Sequence, residues 1–197
     1  MKPIAPDASR RLSRRALLGA LAGGSGVGLL VRRRAEARLR PPGAQLGAEF
    51  DARCIRCFRC AEVCPPKAIR FDALLDPRGA YTPYVDPQTS ACTLCMQCTE
   101  VCPTGALLPI DPAPEVVFDA VKMGRPVLDR RSCITWNRSG NCRLCYYACP
   151  YADRAVSLTG IVQGPIFDPA QCVGCGLCAE ACPAQAKAIR IEPLERA

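Results

Sequence analysis

Short apolar and β-branched stretches recur between residues 68 and 191, separated by segments rich in Cys, Pro and Gly. Stretches of three or four such residues are typical of short strands, and the flanking Pro and Gly residues favour turns. The first Cys-rich segment has no clear strand before it. The pattern predicts strands at 68–71, 84–86, 106–108, 127–129, 155–158, 166–168 and 188–191.

One helix is predicted between the two middle Cys-rich segments. Residues 115–123 follow Pro114, which favours the first helical position, and end at Gly124, which favours a helix end. Short strands combined with short helical turns predict an α+β fold.

The first 37 residues have the features of an export signal. Arg14 and Arg15 precede an apolar stretch at 16–31 that is shorter than the about 20 residues of a membrane span. Ala35-Glu36-Ala37 has the small-x-small form of a cleavage site. We expect residues 1–37 to be a signal segment read by the twin-arginine export machinery, and the protein to be periplasmic and exported folded. The alternative is an N-terminal anchor that is never cleaved.

The positive charge of the chain lies in this leader. The first forty residues contain ten Lys or Arg and two Asp or Glu, whereas the rest contains sixteen of each kind. The body therefore has no basic excess, and we expect no nucleic acid partner. Residues 38–53 contain Pro41-Pro42-Gly43, which would stop a helix, and are predicted to be a linker into a folded body at 54–192.

The 16 cysteines of the chain fall into four quartets, at 54–65, 92–103, 133–150 and 172–183, each ending in Cys-Pro. The chain contains no histidine, which excludes haem attachment through C-x-x-C-H, Rieske centres, imidazole–zinc sites and a histidine general base. The members are Cys54, Cys57, Cys60 and Cys64; Cys92, Cys95, Cys98 and Cys102; Cys133, Cys142, Cys145 and Cys149; and Cys172, Cys175, Cys178 and Cys182.

The spacing within the quartets predicts iron–sulfur clusters. The first, second and fourth quartets are C-x₂-C-x₂-C-x₃-C-P, and the third differs by having eight residues between its first two cysteines. Three thiolates two residues apart can wrap one 4Fe-4S cluster from a tight loop, and in two-cluster ferredoxins the fourth cysteine binds the other cluster. We therefore predict two ferredoxin-like two-cluster modules that bind four 4Fe-4S clusters, with all sixteen cysteines as iron ligands.

Sixteen cysteines in four quartets are also compatible with disulfides or with zinc sites, and the quartets can pair in two ways. Disulfides are usual in exported proteins but need no such spacing, and zinc favours two separated C-x₂-C pairs. The quartets can pair sequentially, first with second and third with fourth, or can be nested, first with fourth around the middle two. Analogy with four-cluster subunits of molybdoenzymes favours the nested arrangement.

These motifs resemble the NapG/MauM family of ferredoxin-type proteins, which is linked to periplasmic nitrate reduction and methylamine utilisation. The resemblance rests on the twin-arginine leader, residues 39–44, the order of the quartets with a widened third, and residues 119–124. The chain departs from the family at Met96-Gln97, where extra residues are expected, and at Pro183. The resemblance implies a periplasmic electron carrier between a membrane-bound quinol-oxidising or ferredoxin-type partner and a cytochrome or periplasmic oxidoreductase.

Two further functions compete with that of a carrier. One is the iron–sulfur subunit of an exported molybdoenzyme, and the other is a maturation or assembly factor for a periplasmic redox enzyme. We do not expect an enzyme with its own substrate site, because an open iron position would need a missing cysteine and every quartet is complete.

Overall fold

The computed structural model describes residues 38–45, 47–76 and 79–194. The predicted signal segment at 1–37 lies outside these residues. Within them, no helix is both long enough and apolar enough to cross a membrane.

Short helices and strands alternate along the described residues. The helices are α1 (Ala48–Arg53), α2 (Arg59–Glu62), α3 (Gln97–Glu100), α4 (Pro114–Ala120), α5 (Leu144–Tyr147) and α6 (Leu177–Glu180). The strands are β1 (Ile69–Phe71), β2 (Pro83–Val85), β3 (Gly124–Leu128), β4 (Val156–Thr159), β5 (Gly164–Phe167) and β6 (Ile189–Pro193). These elements confirm the predicted mixture of short strands and helices.

The strands form three antiparallel pairs. Strand β1 pairs with β2, with Ile69 opposite Val85, and β4 pairs with β5, with Val156 opposite Phe167. Strand β3 pairs with β6, with Leu128 opposite Ile189. The predicted stretch at 106–108 forms only an isolated bridge, between Leu107 and Ala44.

The strand pairing gives two modules in chain order. The N-terminal module (38–110) contains the first two quartets and the β1–β2 pair, and the C-terminal module (121–194) contains the last two quartets with the other two pairs. Each hairpin joins the strand after one quartet to the strand before the next. The pairing is therefore sequential, and the nested arrangement favoured by analogy does not match the structure.

The segment 38–53, expected to be a linker, is packed against the body. Leu39, Pro41, Pro42 and Phe50 are all buried, and the Val85 N–H donates to the Leu39 carbonyl at 2.7 Å. The Pro-Pro-Gly sequence does break helical structure, but its prolines also supply apolar surface. The segment takes the place of the strand that the sequence lacks before the first quartet.

Helix α4 joins the two modules. It begins at Pro114 as predicted but ends at Ala120 instead of residue 123, because the backbone is already extended at Val121, shortly before β3. Its inner face buries Phe118, whose ring lies 4.9 Å from that of Tyr151, and the Tyr151 hydroxyl donates to the Pro114 carbonyl at 2.9 Å. These contacts fasten the helix to the C-terminal module.

Candidate metal centres

The sixteen cysteines line four separate cavities, each with four thiols. Every cavity takes three cysteines from one quartet and the last cysteine of the partner quartet in the same module. We name them sites I to IV. Site I has Cys54, Cys57, Cys60 and Cys102; site II has Cys64, Cys92, Cys95 and Cys98; site III has Cys133, Cys142, Cys145 and Cys182; site IV has Cys149, Cys172, Cys175 and Cys178.

Short helices produce this exchange of the fourth cysteine. In the first quartet, α2 carries Cys60 on its first turn and ends at Glu62, so that Cys64 follows the helix and faces the neighbouring cavity. Helix α3 does the same with Cys98 and Cys102. A four-residue helix is about one turn long, which is enough to carry the chain from one cavity to the next.

The backbone around the second cysteine has the same conformation in each of the three regular quartets (the first, second and fourth). The residues before and after that cysteine both have positive φ, which turns the loop so that three thiols face one cavity. Residues other than Gly hold this conformation at a cost of about 1–2 kcal/mol each. The φ values are 56° and 64° at Arg56 and Phe58, 59° and 58° at Leu94 and Met96, and 77° and 89° at Gly174 and Gly176.

Backbone amides donate hydrogen bonds to cysteine sulfurs in these loops. The Leu94 N–H lies 3.4 Å from Cys92 Sγ, and the Gly174 N–H lies 3.3 Å from Cys172 Sγ. Such donors favour a charged thiolate and adjust the properties of a metal that the thiolate holds.

Burial has the opposite effect on the thiols. Desolvation raises the pKa of Cys92 to about 11, and it raises the pKa of Cys145 and of Cys175 to about 12. Metal ligation requires thiolates, so a metal centre bound at these sites would displace protons from the thiols.

Cys102 is the exception among the thiols. Desolvation raises its pKa, but hydrogen bonds from the backbone of Leu107 and from Thr104 act more strongly together, and the pKa of Cys102 falls below its usual value. The Leu107 N–H lies 3.4 Å from the Cys102 sulfur. Among the thiols of site I whose pKa is shifted, Cys102 therefore ionises most readily.

Sites II and IV meet where the two modules touch. The Cys92 N–H donates to the Cys175 carbonyl at 3.0 Å, and the Ala91 N–H lies 3.3 Å from Glu180 Oε2. Sites I and II share the N-terminal module, and sites III and IV share the C-terminal module. The sites are therefore connected in the order I, II, IV, III.

Site I contains the most exposed thiol of the four sites. Cys57 is the one cysteine of the sixteen that is exposed. Beside it, Ile55 and Phe58 are 62% and 40% exposed although both are apolar. Arg56 and Arg59 complete the same loop and line the cavity, so site I opens onto a surface that is both apolar and basic.

The donor set fits an iron–sulfur cluster. All sixteen cysteines are free thiols, and in the part of the chain that the structure describes no three Cys, Asp or Glu side chains converge as ligands of a single ion. The thiols instead surround cavities with apolar walls, such as Ile134 and Pro165 at site III. Four soft sulfur donors around a cavity are the ligand set of a 4Fe-4S cluster.

The widened third quartet contains a residue that the sequence pattern alone did not reveal. The Thr135 side chain is buried and hydrogen-bonds to the backbone of Cys142. Its position, two residues after the first cysteine of the quartet, is the only signal in the sequence that could have drawn attention to it.

Two family models match the chain. A 4Fe-4S dicluster domain matches residues 53–106, and a 4Fe-4S binding domain matches residues 165–187. These ranges contain the first, second and fourth quartets, and the chain is thereby shown to be a 4Fe-4S protein. The third quartet lies outside both matched ranges.

Several curated proteins are similar over most of the chain. The methylamine utilization ferredoxin-type protein MauM of Methylophilus methylotrophus is 37% identical over 173 residues, which cover 82% of this chain and 74% of that protein. The ferredoxin-type protein NapG of Haemophilus influenzae is 33% identical over 218 residues, covering 100% of this chain and 76% of that protein. NapG of Escherichia coli is 32% identical, covering 81% and 72%.

Proposed function

Because the chain belongs to the family of ferredoxin-type proteins that includes MauM and NapG, we propose that it is an exported electron-transfer protein with four 4Fe-4S clusters. The observation that carries this proposal is the division of sixteen cysteines into four sets of four around four cavities. The four cysteines of each site would hold one cluster. When bound, the clusters supply one-electron redox chemistry.

The chain contributes binding, shielding and tuning at these sites. Thiolates from two quartets close each site, so that a cluster is held by both halves of a module. Apolar residues such as Met96 and Val173 line the walls and keep water away, while the Leu94 and Gly174 amides point at sulfur. Burial and hydrogen bonds to sulfur are the protein's main means of setting a cluster potential.

The connected order of the sites supports a relay between two partners. Sites I and III are the ends of the series, and the Cys92–Cys175 hydrogen bond joins its middle. A series with two ends suits a protein that accepts electrons from one partner and delivers them to another. We propose a membrane quinol-oxidising protein as the donor and a periplasmic oxidoreductase or cytochrome as the acceptor.

The periplasmic location is supported by Arg14 and Arg15 and the apolar stretch that follows. It is tested by replacing both arginines with lysine, which keeps the charge but removes the pair read by the export machinery. The full chain is expected in the periplasmic fraction, and the R14K/R15K variant in the cytoplasm with its iron retained. Equal export of the two proteins would contradict the twin-arginine route.

The cluster content is tested by iron and acid-labile sulfide analysis of protein purified without oxygen. We expect about sixteen of each per chain, because four cubane clusters contain about four iron and four sulfide ions each. Zinc or disulfides in place of iron would contradict the proposal. A content of about twelve would mean that one site does not bind a cubane cluster.

A genetic experiment separates a carrier from an assembly factor. Deleting a carrier leaves the terminal oxidoreductase fully metallated but without electrons, so that an artificial electron donor restores its activity. Deleting an assembly factor leaves that oxidoreductase without its metal centres, and the artificial donor has no effect.

A further inference from the structure

The long spacer of the third quartet is an ordered loop. Its backbone is held at the start by the Cys133 N–H, which donates to the Asp129 carbonyl at 3.1 Å. Within it, the Asn137 N–H donates to the Cys133 carbonyl at 2.9 Å and the Ser139 N–H to the Ile134 carbonyl at 3.1 Å. The eight residues between Cys133 and Cys142 therefore have a defined path back towards site III.

The end of this loop is attached to its beginning by one side chain. Thr135 Oγ1 donates to the Cys142 carbonyl at 2.7 Å, and the same oxygen accepts from the Cys142 N–H at 3.0 Å. Thr135 is 2% exposed. A single buried hydroxyl thus satisfies both backbone polar groups of one partly buried cysteine.

The position of Thr135 corresponds to a specific position in the regular quartets. Two residues after the first cysteine stand Leu94 in the second quartet and Gly174 in the fourth, and their backbone amides donate to the sulfur of that first cysteine. In those quartets the middle cysteine follows directly and the short chain holds it in place. In the third quartet the middle cysteine is seven residues beyond Thr135, and a hydroxyl bridges that gap.

We propose that Thr135 is a positioning residue for site III, whose hydroxyl holds Cys142 beside Cys133 so that their thiols face one cavity. In the regular quartets a two-residue spacer connects the first and second cysteines directly, whereas in the third quartet the hydrogen bonds of Thr135 take over that role. The identity of what Cys142 then binds rests on the proposed function, whereas the attachment of Cys142 by Thr135 does not.

The chemistry of the position dictates the variants that test it. Valine has the shape of threonine without the hydroxyl, so T135V leaves the Cys142 N–H and carbonyl unpaired. Serine keeps the hydroxyl, so T135S preserves both hydrogen bonds. Thr99 supplies a matched control, because it is equally buried and its hydroxyl also links two backbone groups without bonding to a cysteine. It donates to the Met96 carbonyl at 2.7 Å and accepts from the Ile110 N–H at 3.3 Å.

The experiment compares full-length wild type, T135V, T135S and T99V, all purified without oxygen. Iron release to an Fe²⁺ chelator is followed by absorbance, and exchange of the Cys142 amide is followed by hydrogen–deuterium mass spectrometry. We expect T135V to lose about a quarter of its iron at least about tenfold faster than wild type, in the range seen when a group supporting a metal ligand is removed. T135S and T99V are expected to keep wild-type release, and Cys142 exchange should accelerate in T135V alone.

Equal iron release from T135V and T135S would overturn the inference, as would rapid exchange of the Cys142 amide in wild type. If T135V does not fold, T135S decides: wild-type iron release and a protected Cys142 amide support the role of the hydroxyl, and loss of either refutes it. Wild-type protein without iron would overturn the proposed function, and the Cys142 exchange rates would still test the attachment.

Discussion

Cys92 and Cys175, which line sites II and IV, are joined by a hydrogen bond of 3.0 Å from the Cys92 N–H to the Cys175 carbonyl. The contact continues at the residue after Cys175. A Cβ on Gly176 would lie 2.3 Å from the Cβ of Pro87, which belongs to the N-terminal module. The two modules approach so closely at Gly176 that only glycine fits.

Replacing Gly176 with alanine tests this approach. Its φ of +89° already disfavours any other residue, and the new methyl group would collide with Pro87. Gly160 is a matched control, because its φ is +56° and nothing lies within 4 Å of its Cβ position. We expect G160A to lose about 1–2 kcal/mol of unfolding free energy from backbone strain, and G176A about 1–3 kcal/mol more from overpacking.

The measurement is thermal unfolding of both variants and wild type without oxygen, followed by circular dichroism. Equal shifts in the midpoint for G176A and G160A would mean that the modules can move apart at Gly176 without loss of stability.

The burial of Leu39 predicts that the segment before the first quartet is part of the fold. Leu39 is 4% exposed, whereas Leu75 is 91% exposed. L39A is expected to lower the unfolding free energy by about 2–4 kcal/mol, and L75A by less than about 0.5 kcal/mol. Denaturant titration of the two variants measures this difference. If L39A lowers the unfolding free energy no more than L75A does, residues 38–53 are a linker and not part of the fold.

The opposite pKa shifts of the thiols predict their order of alkylation after iron is removed. The pKa of Cys102 is below its usual value, so its thiolate fraction at pH 8 is raised, whereas Cys92 and Cys175 ionise only near pH 11 and pH 12. Because the thiolate is the nucleophile, iodoacetamide should modify Cys102 before Cys92 and Cys175. Peptide mass spectrometry over time measures each rate.

Raising the pH from 7 to 9 should speed the Cys102 reaction and leave Cys92 and Cys175 nearly unreactive. Protein unfolded in urea is the control, in which the three cysteines should react alike. Equal rates without urea would show that the iron-free chain does not keep the burial described here.

The basic loop over site I predicts faster electron exchange with anions. Arg56 and Arg59 line the opening next to the exposed Cys57. A unit charge about 7 Å from another contributes about 0.6 kcal/mol in water, or roughly a threefold change in rate. We expect the R56Q/R59Q variant to be oxidised by ferricyanide about threefold to tenfold more slowly than wild type at low salt.

The measurement is stopped-flow absorbance on reduced protein, repeated with hexaamminecobalt(III), for which the sign of the effect should reverse. R190Q is the control, because Arg190 is a similarly exposed arginine on β6. Both effects should fade as salt is added. If R190Q slows oxidation by ferricyanide as much as R56Q/R59Q does, electron exchange does not depend on the arginines at the opening of site I.

The sequence predicted the short elements well but not which of them pair. The stretches around Ile69, Val127 and Ile189 became strands because alternating apolar residues and adjacent turns are local signals. Sequential and nested arrangements contain the same quartets with the same spacing, so the choice depends on distant packing such as Leu128 opposite Ile189. Leu39 was missed for a similar reason, because the prolines after it signal a break in helix and say nothing of burial.

The candidate site was predictable as far as its geometry is local. The arrangement of three thiols follows from spacing, and so does the departure of the fourth cysteine after one helical turn, as at Cys64. The role of Thr135 was not predictable, since its partner Cys142 is distant in sequence and the hydrogen bonds exist only after the loop has folded. Positive φ at Phe58 and Met96 was likewise invisible, because neither residue favours that conformation.

Because the last cysteine of each quartet lies in the site of its partner quartet, the two modules acquire their full sets of thiols at different stages of synthesis. Sites I and II have all their thiols once residue 102 has been made, since Cys102 completes the first and Cys98 the second. Sites III and IV must wait for Cys182 and Cys178. During synthesis the eight thiols of sites I and II are therefore all present before the eight thiols of sites III and IV. A chain truncated between residues 110 and 178 would contain the complete N-terminal module but no complete set of four thiols for site III or site IV.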